Sequence, residues 1–232
     1  MHQFPIRRND AGDCLVAAGE RQTFLFADMR MPGITVGDPD REMGNYVQLT
    51  ADVRFERAFV PTDHLIGSEG GGLRAALGAL MLGRIGIGAI GVAMAQAAFD
   101  FSTDYISQRR VFGKPIAAFQ HWQFRFADHA MRIESARSLF QKAALLYDKT
   151  GHAETEAAMA KVVGSELAVD VARDAIQCCG ACGFVQTLGG TGEQFPLESI
   201  YRDAKIGEIY AGANEVQRWV VARNIFGRDI TG

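Results

Sequence analysis

The spacing of apolar residues changes at the triplet Gly70-Gly71-Gly72, and this change limits the chain to one order of elements. From residue 13 to about 67, short apolar runs alternate with polar residues: CLVAA, TFLFADM, MPGITVGDPD and YVQLTADVRFERAFVP, broken by Pro, Gly and Asp. Period two in Val, Ile, Phe and Thr predicts β-strands, four or five of them. Such a set packs as a small sheet whose edges need partners. After the triplet the period is helical. Residues 117–149 place Phe119, Trp122, Phe126, Ala130, Ile133, Arg137, Phe140, Ala144 and Tyr147 three and four apart, one apolar stripe with a single Arg in it. A second long helix is predicted over about 152–179, with Met159, Val163, Leu167 and Ile176 on one face, separated from the first by Thr150-Gly151. A helix over 73–109 precedes them and a shorter one over 214–226, ended by Gly227, follows. Four helices with short connections predict an antiparallel bundle, and strands followed by helices make an α+β chain.

Composition narrows the function. At 232 residues and 48% hydrophobic, the chain has enough length for one large domain or two small ones. A net charge of −3, with Lys and Arg spread along the chain, offers nucleic acid no basic stripe. The opening MHQFPIRRND lacks the apolar core of a signal peptide. The most apolar run, IGIGAIGVAMAQAAF over 85–99, is shorter than the roughly 18 residues of a membrane span, and Arg84 would have to be buried to lengthen it. It reads as a buried core helix, with no membrane span.

Four cysteines, Cys14, Cys178, Cys179 and Cys182, argue for a reducing compartment and against a disulfide framework. The C-x-x-C of Cys179 and Cys182 has no second pair and no histidine pair near it, so small residues filling a tight helix end are the expectation, and no metal site. His2, His64, His121, His129 and His152 lack metal spacing, and His121 and His129 are expected to flank a helix face. Neither H-E-x-x-H nor G-x-S-x-G occurs.

Three glycine-bearing stretches remain. GIGAIG over 86–91 matches G-x-G-x-x-G, but a helical run precedes it where a dinucleotide fingerprint needs a strand. Glycine in a helix costs about 1 kcal/mol relative to alanine, so a neighbouring helix or a ligand is expected to approach this backbone closely. RRVFGKPI over 109–116 ends the first helix. Its cations either complement the helix dipole or grip a phosphate. QCCGACGF over 177–184 and QTLGGTG over 186–192 are turns after a helix, where glycine serves as a cap or lets a cofactor approach.

Together these segments resemble motifs of the acyl-CoA dehydrogenase family. RRVFGKPIAAFQ resembles R-x-x-F-G-x-x-I-x-x-F-Q, and QCCGACGF resembles Q-x-x-G-G-x-G-F. FPLESIYRDAKIGEIY followed by GANEVQR resembles P-x-E-x-x-x-R-D-x-x-x-x-x-I-Y-E-G-T-x-E-x-Q-R, and VRFERAFVPTDHLIGSEGGGL resembles the strand and loop leading into the family's C-terminal helices. The resemblance implies a partial middle β domain over 1–69 and a C-terminal four-helix bundle domain over 70–232. The family's front helical domain and first β strands have no counterpart here, so the chain is expected to be a fragment, a split subunit or a degenerate copy.

The family binds FAD and removes hydrogen from the α and β carbons of an acyl-CoA thioester. By resemblance, Arg109, Phe112 and Gln120 meet the pyrophosphate and adenosine half of FAD on a neighbouring subunit, as do Gln177, Gly180 and Gly183. Ala181 replaces the second glycine and a longer loop leads to Pro196, so Gln186, Gly189 and Gly190 are an alternative register. Asn214 and Glu215 are implied at the flavin of their own subunit, and Arg84 and Gly212 at the substrate. The family's basic Glu aligns with Ala211, and its alternative position aligns with Gly83; neither can accept a proton. A positioned base contributes about 10² to 10⁴ in rate, while the Ala211 N–H retains the capacity to polarise a thioester carbonyl. Glu208, one turn earlier, is displaced by roughly 5 Å of rise.

Three readings follow: a dehydrogenase whose base has been replaced, a subunit that completes a partner's FAD site without chemistry, or a flavin-dependent oxygenase. The implied assembly is a homotetramer or dimer, or a hetero-oligomer with a full-length paralogue. The implied location is the cytoplasm, or the mitochondrial matrix in a eukaryote.

Overall fold

The alternating segment forms strands in three small antiparallel ladders rather than one sheet. The computed structural model describes residues 22–232 and the backbone of two earlier strands, β1 (Phe4–Ile6) and β2 (Asp13–Ala17). The side chain of Cys14 and those of the opening residues read for a signal peptide lie outside the described residues. There follow β3 (Phe24–Asp28), β4 (Ile34–Val36), β5 (Leu49–Ala51), β6 (Val53–Phe55) and β7 (Leu65–Ile66). Strand β1 pairs with β5, Phe4 opposite Ala51; β3 lies between β2 and β7; β4 pairs with β6, Ile34 opposite Phe55. This exceeds the four or five strands expected. The apolar run ending at Pro61 is not one strand, because the chain changes partner at Asp52, whose carbonyl accepts the Gly37 N–H at 2.9 Å. Alternation reports which face is buried, not which strand lies alongside.

The glycine triplet has a local cause. The Gly72 N–H bonds the carbonyl of Gln22 at 2.8 Å, and a Cβ at Gly72 would stand 2.7 Å from that oxygen. The backbone passes the start of β3 where no side chain fits.

The chain divides into two units, Met1–Leu80 and Met81–Gly232. Helix α1 (Gly72–Gln108) enters the second and is followed by a hairpin of β8 (Arg110–Val111) and β9 (Lys114–Pro115). Then come α2 (Gln120–Thr150), α3 (Glu154–Cys179), the single turn α4 (Ala181–Phe184), α5 (Leu197–Lys205), α6 (Asn214–Phe226) and α7 (Arg228–Thr231). Helices α1, α2, α3 and α6 are the antiparallel four-helix bundle of an α+β chain. Helix α5, which the periodicity did not predict, packs on α3 and places Leu197 in the core. Its partners there are Val92, Ala95 and Ala98 of α1, Ile133 of α2 and Val171 of α3. By length and apolarity α1 is the one described helix able to cross a membrane, yet these residues of it lie in the core. Arg84 is buried as well, so the apolar run is not cut short there.

The expected face of α3 is buried only in part: Leu167 lies in the core and Ile176 packs on it, but the burial extends well beyond that face. Val163 is 40% exposed, whereas Ala157, Ala158, Ala160, Leu167, Ala168, Val171, Ala172 and Ala175 are buried around most of the circumference. Helix α3 touches α2, α5 and α6, and its alanines let all of them come close. Two of the four glycines over 83–91, Gly88 and Gly91, are explained by the same helix, while Gly83 and Gly86 have nothing within 4 Å. A Cβ at Gly91 would lie 2.3 Å from the carbonyl oxygen of Gly164, and one at Gly164 would lie 2.5 Å from that of Gly88. A neighbouring helix, not a ligand, meets this backbone. His129 does not flank a face: it is 1% exposed, with Nε2 2.8 Å from the Asp174 carboxylate that also accepts from Arg125. Burial pushes its imidazole below the usual value.

Candidate functional site

A left-handed turn between α5 and α6 carries Ala211, the position at which the resemblance expects a base. Ala211 and Gly212 both have positive φ, 53° and 94°, a conformation uncommon for residues with a side chain. Two buried side chains fix the turn. Arg84 donates from Nε to the Ala211 carbonyl at 3.1 Å, and Gln217 donates from Nε2 to the Gly212 carbonyl at 3.0 Å. A Cβ at Gly212 would stand 2.6 Å from that Gln217 nitrogen.

A polar network continues inward from this turn. Lys161, fully buried, donates from Nζ to Asn214 Oδ1 at 2.7 Å. The Asn214 amide donates to Ser165 Oγ and Glu166 Oε1, both at 3.1 Å, and Arg218 holds both oxygens of Glu166 at 2.7 and 2.8 Å. Burial, with Arg84 nearby, pushes the Lys161 ammonium down to about 8, and burial likewise lowers Arg84. The first residue of α6 is thereby tied to α3, which sets where the turn before it can sit. No proton acceptor stands at position 211, and Glu208 is engaged by Lys205.

A second constellation gathers where α1 ends. The β8–β9 hairpin turns on Phe112 and Gly113, with φ of 50° and 82°, the two-residue geometry that matches strand twist. Phe112 is 96% exposed, so a bulky side chain occupies a strained position without packing to justify it, a feature that concentrates at ligand sites. At the end of α3, Gly180 takes φ 62° with ψ −134°, a region open to glycine alone. Gly183 is buried against α3, where a Cβ would lie 2.6 Å from the Ile176 carbonyl oxygen. Residues 186–195 then fold back on themselves, the Leu188 N–H bonding Glu193 O and the Phe195 N–H bonding Gln186 O. Between this loop and α1 lies a cleft of about 610 Å³ lined by Phe101, Tyr105, Arg109, Cys182, Glu193 and Phe195 among others. A hydrogen bond with Cys182, and then burial, push the Tyr105 phenol up to about 12.

The family model for the acyl-CoA dehydrogenase C-terminal domain matches residues 70–226. The chain belongs to the acyl-CoA dehydrogenase family. An acyl-CoA dehydrogenase of Bacillus subtilis is 41% identical over 203 residues, covering 88% of this chain and 52% of that protein. The mitochondrial short-chain specific acyl-CoA dehydrogenase of Rattus norvegicus is 39% identical over 197 residues, 85% of this chain and 46% of its own length. Among solved structures, butyryl-CoA dehydrogenase from Megasphaera elsdenii superposes with a TM-score of 0.83 at 34% identity, over 92% of this chain and 55% of that one. The chain thus spans about half the length of the curated relatives it matches.

Within this acyl-CoA dehydrogenase bundle, the residues named from sequence fall into two groups. Arg84, Ala211 and Gly212 meet at the turn. Asn214 points its amide into the bundle, and Glu215 is exposed in the first turn of α6. Arg109 and Cys182, from motifs some seventy positions apart, line one cleft, with Gly180 and Gly183 shaping the turn beside it. Phe112, Gln120 and Gln177 are exposed on their own elements, as are Gln186, Gly189 and Gly190 of the alternative register. Lys161, Ser165, Glu166 and Gln217 were missed. Their signal was a lysine set in the alanine-rich AAMAKVVGSELAV, where a charge on a buried helix demands a partner.

Proposed function

We propose that this chain is part of an FAD-dependent acyl-CoA dehydrogenase, of the type that makes the α,β double bond of an acyl-CoA thioester, and that position 211 supplies no base for the reaction. Its domains on this reading are a partial β domain over 1–69 and the bundle over 70–232. The observation that carries the reading is the cleft lined by both Arg109 and Cys182 of the QCCGACGF turn, together with Asp104 and Glu193. Two separate motifs of one expected nucleotide site come together there. An exposed guanidinium suits a diphosphate, and the exposed aromatic ring of Phe112 on a strained turn suits a planar base. These features fit FAD. Bound there, FAD supplies the acceptor for hydride from the β carbon.

The residues of this chain bind and orient. Arg109, Phe112, Gln120, Gln177, Gly180 and Gly183 hold the nucleotide end of a cofactor shared with a neighbouring subunit. The turn at Ala211 and Gly212, fixed by Arg84, presents backbone N–H groups to the thioester. Asn214, engaged within the bundle, sets the position of that turn, while Glu215 lies toward the flavin side. Position 211 offers the α proton no acceptor. The relatives named for short-chain and butyryl substrates make butyryl-CoA the first thioester to test.

A second reading has a specific observation in its favour. The lack of a carboxylate at 211, beside exposed cofactor-side residues at 109, 112, 120 and 177, suits a subunit that completes the FAD site of a full-length paralogue. Homodimers or homotetramers belong to the first reading and hetero-oligomers to the second, in the cytoplasm or, in a eukaryote, the mitochondrial matrix.

The test is spectroscopic. Purified protein, alone or with the paralogue, is expected to show flavin absorbance. Ala211→Glu is expected to accelerate anaerobic bleaching by butyryl-CoA at least about 10²-fold. Flavin bound but unbleached in that variant removes the dehydrogenase reading, and no flavin in any assembly removes both.

A further inference from the structure

Arg84 is 7% exposed, yet no carboxylate pairs with it among the described residues. Its one hydrogen bond uses Nε, to the carbonyl of Ala211. Lys161, fully buried and near enough to repel it, is also without an ion pair and leans on the neutral Asn214 amide. Two buried cations with no carboxylate in ion-pair contact are an expensive arrangement, because each loses its hydration and the charges of Glu208, Glu215 and Glu166 reach Lys161 only from further off. Glu154 acts on Arg84 only at longer range.

The free end of Arg84 runs beside the left-handed turn, Nη2 standing 3.6 Å from where a Cβ on Gly212 would be. The fully enclosed side-chain polar atoms without partners, among the described residues, are His129 Nδ1 and Gln217 Oε1. The unbonded Nη nitrogens of Arg84 are not among them, so they touch solvent. A guanidinium edge takes the two oxygens of a carboxylate in parallel hydrogen bonds, and the residue at 211 is an alanine, which brings no carboxylate of its own to that edge.

We propose that the Arg84 guanidinium and the Ala211–Gly212 turn form a binding site for a small carboxylate anion. The site is built from this chain's own residues and needs no flavin, so it stands or falls apart from the cofactor reading.

The experiment follows thermal unfolding of the full chain in sodium formate against sodium chloride at matched ionic strength, with saturation transfer to the formate proton as a direct readout. Formate is expected to raise Tm with the logarithm of its concentration above Kd, by about 3–6 °C at ten times its Kd, while chloride does not. Ala211→Glu places a tethered carboxylate in the site, and the formate response is expected to fall to the chloride level. Arg84→Gln is expected to abolish saturation transfer; should that variant not fold, Ala211→Glu decides alone. Equal shifts from formate and chloride, or a formate response that survives in Ala211→Glu, overturn the site.

Discussion

Alanine placed at two glycines one and a half turns apart on α1 should have opposite effects. At Gly91 a Cβ would lie 2.3 Å from the Gly164 carbonyl oxygen and 2.4 Å from its carbon. Ordinary contact begins about 1 Å further out, and the obstacle is helical backbone that cannot rotate aside. Overpacking costs about 1–3 kcal/mol, and a backbone obstacle belongs at the upper end. Replacing helical glycine returns about 1 kcal/mol, which leaves Gly91→Ala destabilised by about 2 kcal/mol. At Gly86 nothing lies within 4 Å of the added carbon. Only the propensity gain remains, and Gly86→Ala should be more stable by about 0.5–1 kcal/mol. For a chain of this size, roughly 2–4 °C of Tm accompanies each kcal/mol. Calorimetry should therefore separate the two variants by about 5–12 °C. If Gly91→Ala melted at or above Gly86→Ala, the close crossing of α1 on α3 would be refuted, and with it the packing account of Gly88 and Gly91.

Two further substitutions read the two constellations. Lys161 titrates near 8 in the folded chain against 10.5 unfolded. Between those values the unfolded chain holds a proton that the folded chain has lost, so stability rises with pH across that window, and below about 8 the folded state carries the full cost of the buried charge. Relative to Lys161→Met, the native chain should gain roughly 1–3 kcal/mol between pH 7 and 10.5 in urea unfolding. A pH-independent difference would show that the ammonium is not buried as described. Phe112→Gly should relieve a strained left-handed residue and raise stability by about 1 kcal/mol, while weakening flavin affinity measured by fluorescence titration. An unchanged affinity would remove Phe112 from the cofactor site.

What the sequence disclosed follows from what periodicity can encode. Helices α1, α2, α3 and α6 were legible because each extends a 3.6-residue pattern over many turns and ends at a recognisable break, such as Gly151 at φ 70° after α2. The buried face of α3 was not legible. Much of its contact surface is alanine and glycine, which mark no stripe, and one of the large residues that do mark it, Val163, is exposed. Helix α5 escaped notice because nine residues give barely two turns of signal. In the β segment, alternation disclosed strands but not partners, so it could not show that one apolar run serves two ladders.

The candidate site shows the same division at the level of single residues. Arg109, Gly180 and Ala211 were found because they sit in motifs whose order along the chain is informative. Lys161 and His129 were not, since neither belongs to a motif and each becomes meaningful only when a second helix brings Asn214 or Asp174 within hydrogen-bonding distance. Position 211 joins the two cases. The order of motifs marks it as the position where the family's base is expected, but what holds its backbone lies on α1, 127 positions away. Arg84 donates to the Ala211 carbonyl and makes no ion pair among the described residues, so one buried guanidinium both fixes the turn and keeps its outer nitrogens uncompensated. An apolar side chain of the same volume would avoid the desolvation cost but would lose that grip on the turn. The formate titration therefore separates the two roles, because a guanidinium that only fixes the turn gives formate and chloride equal effects.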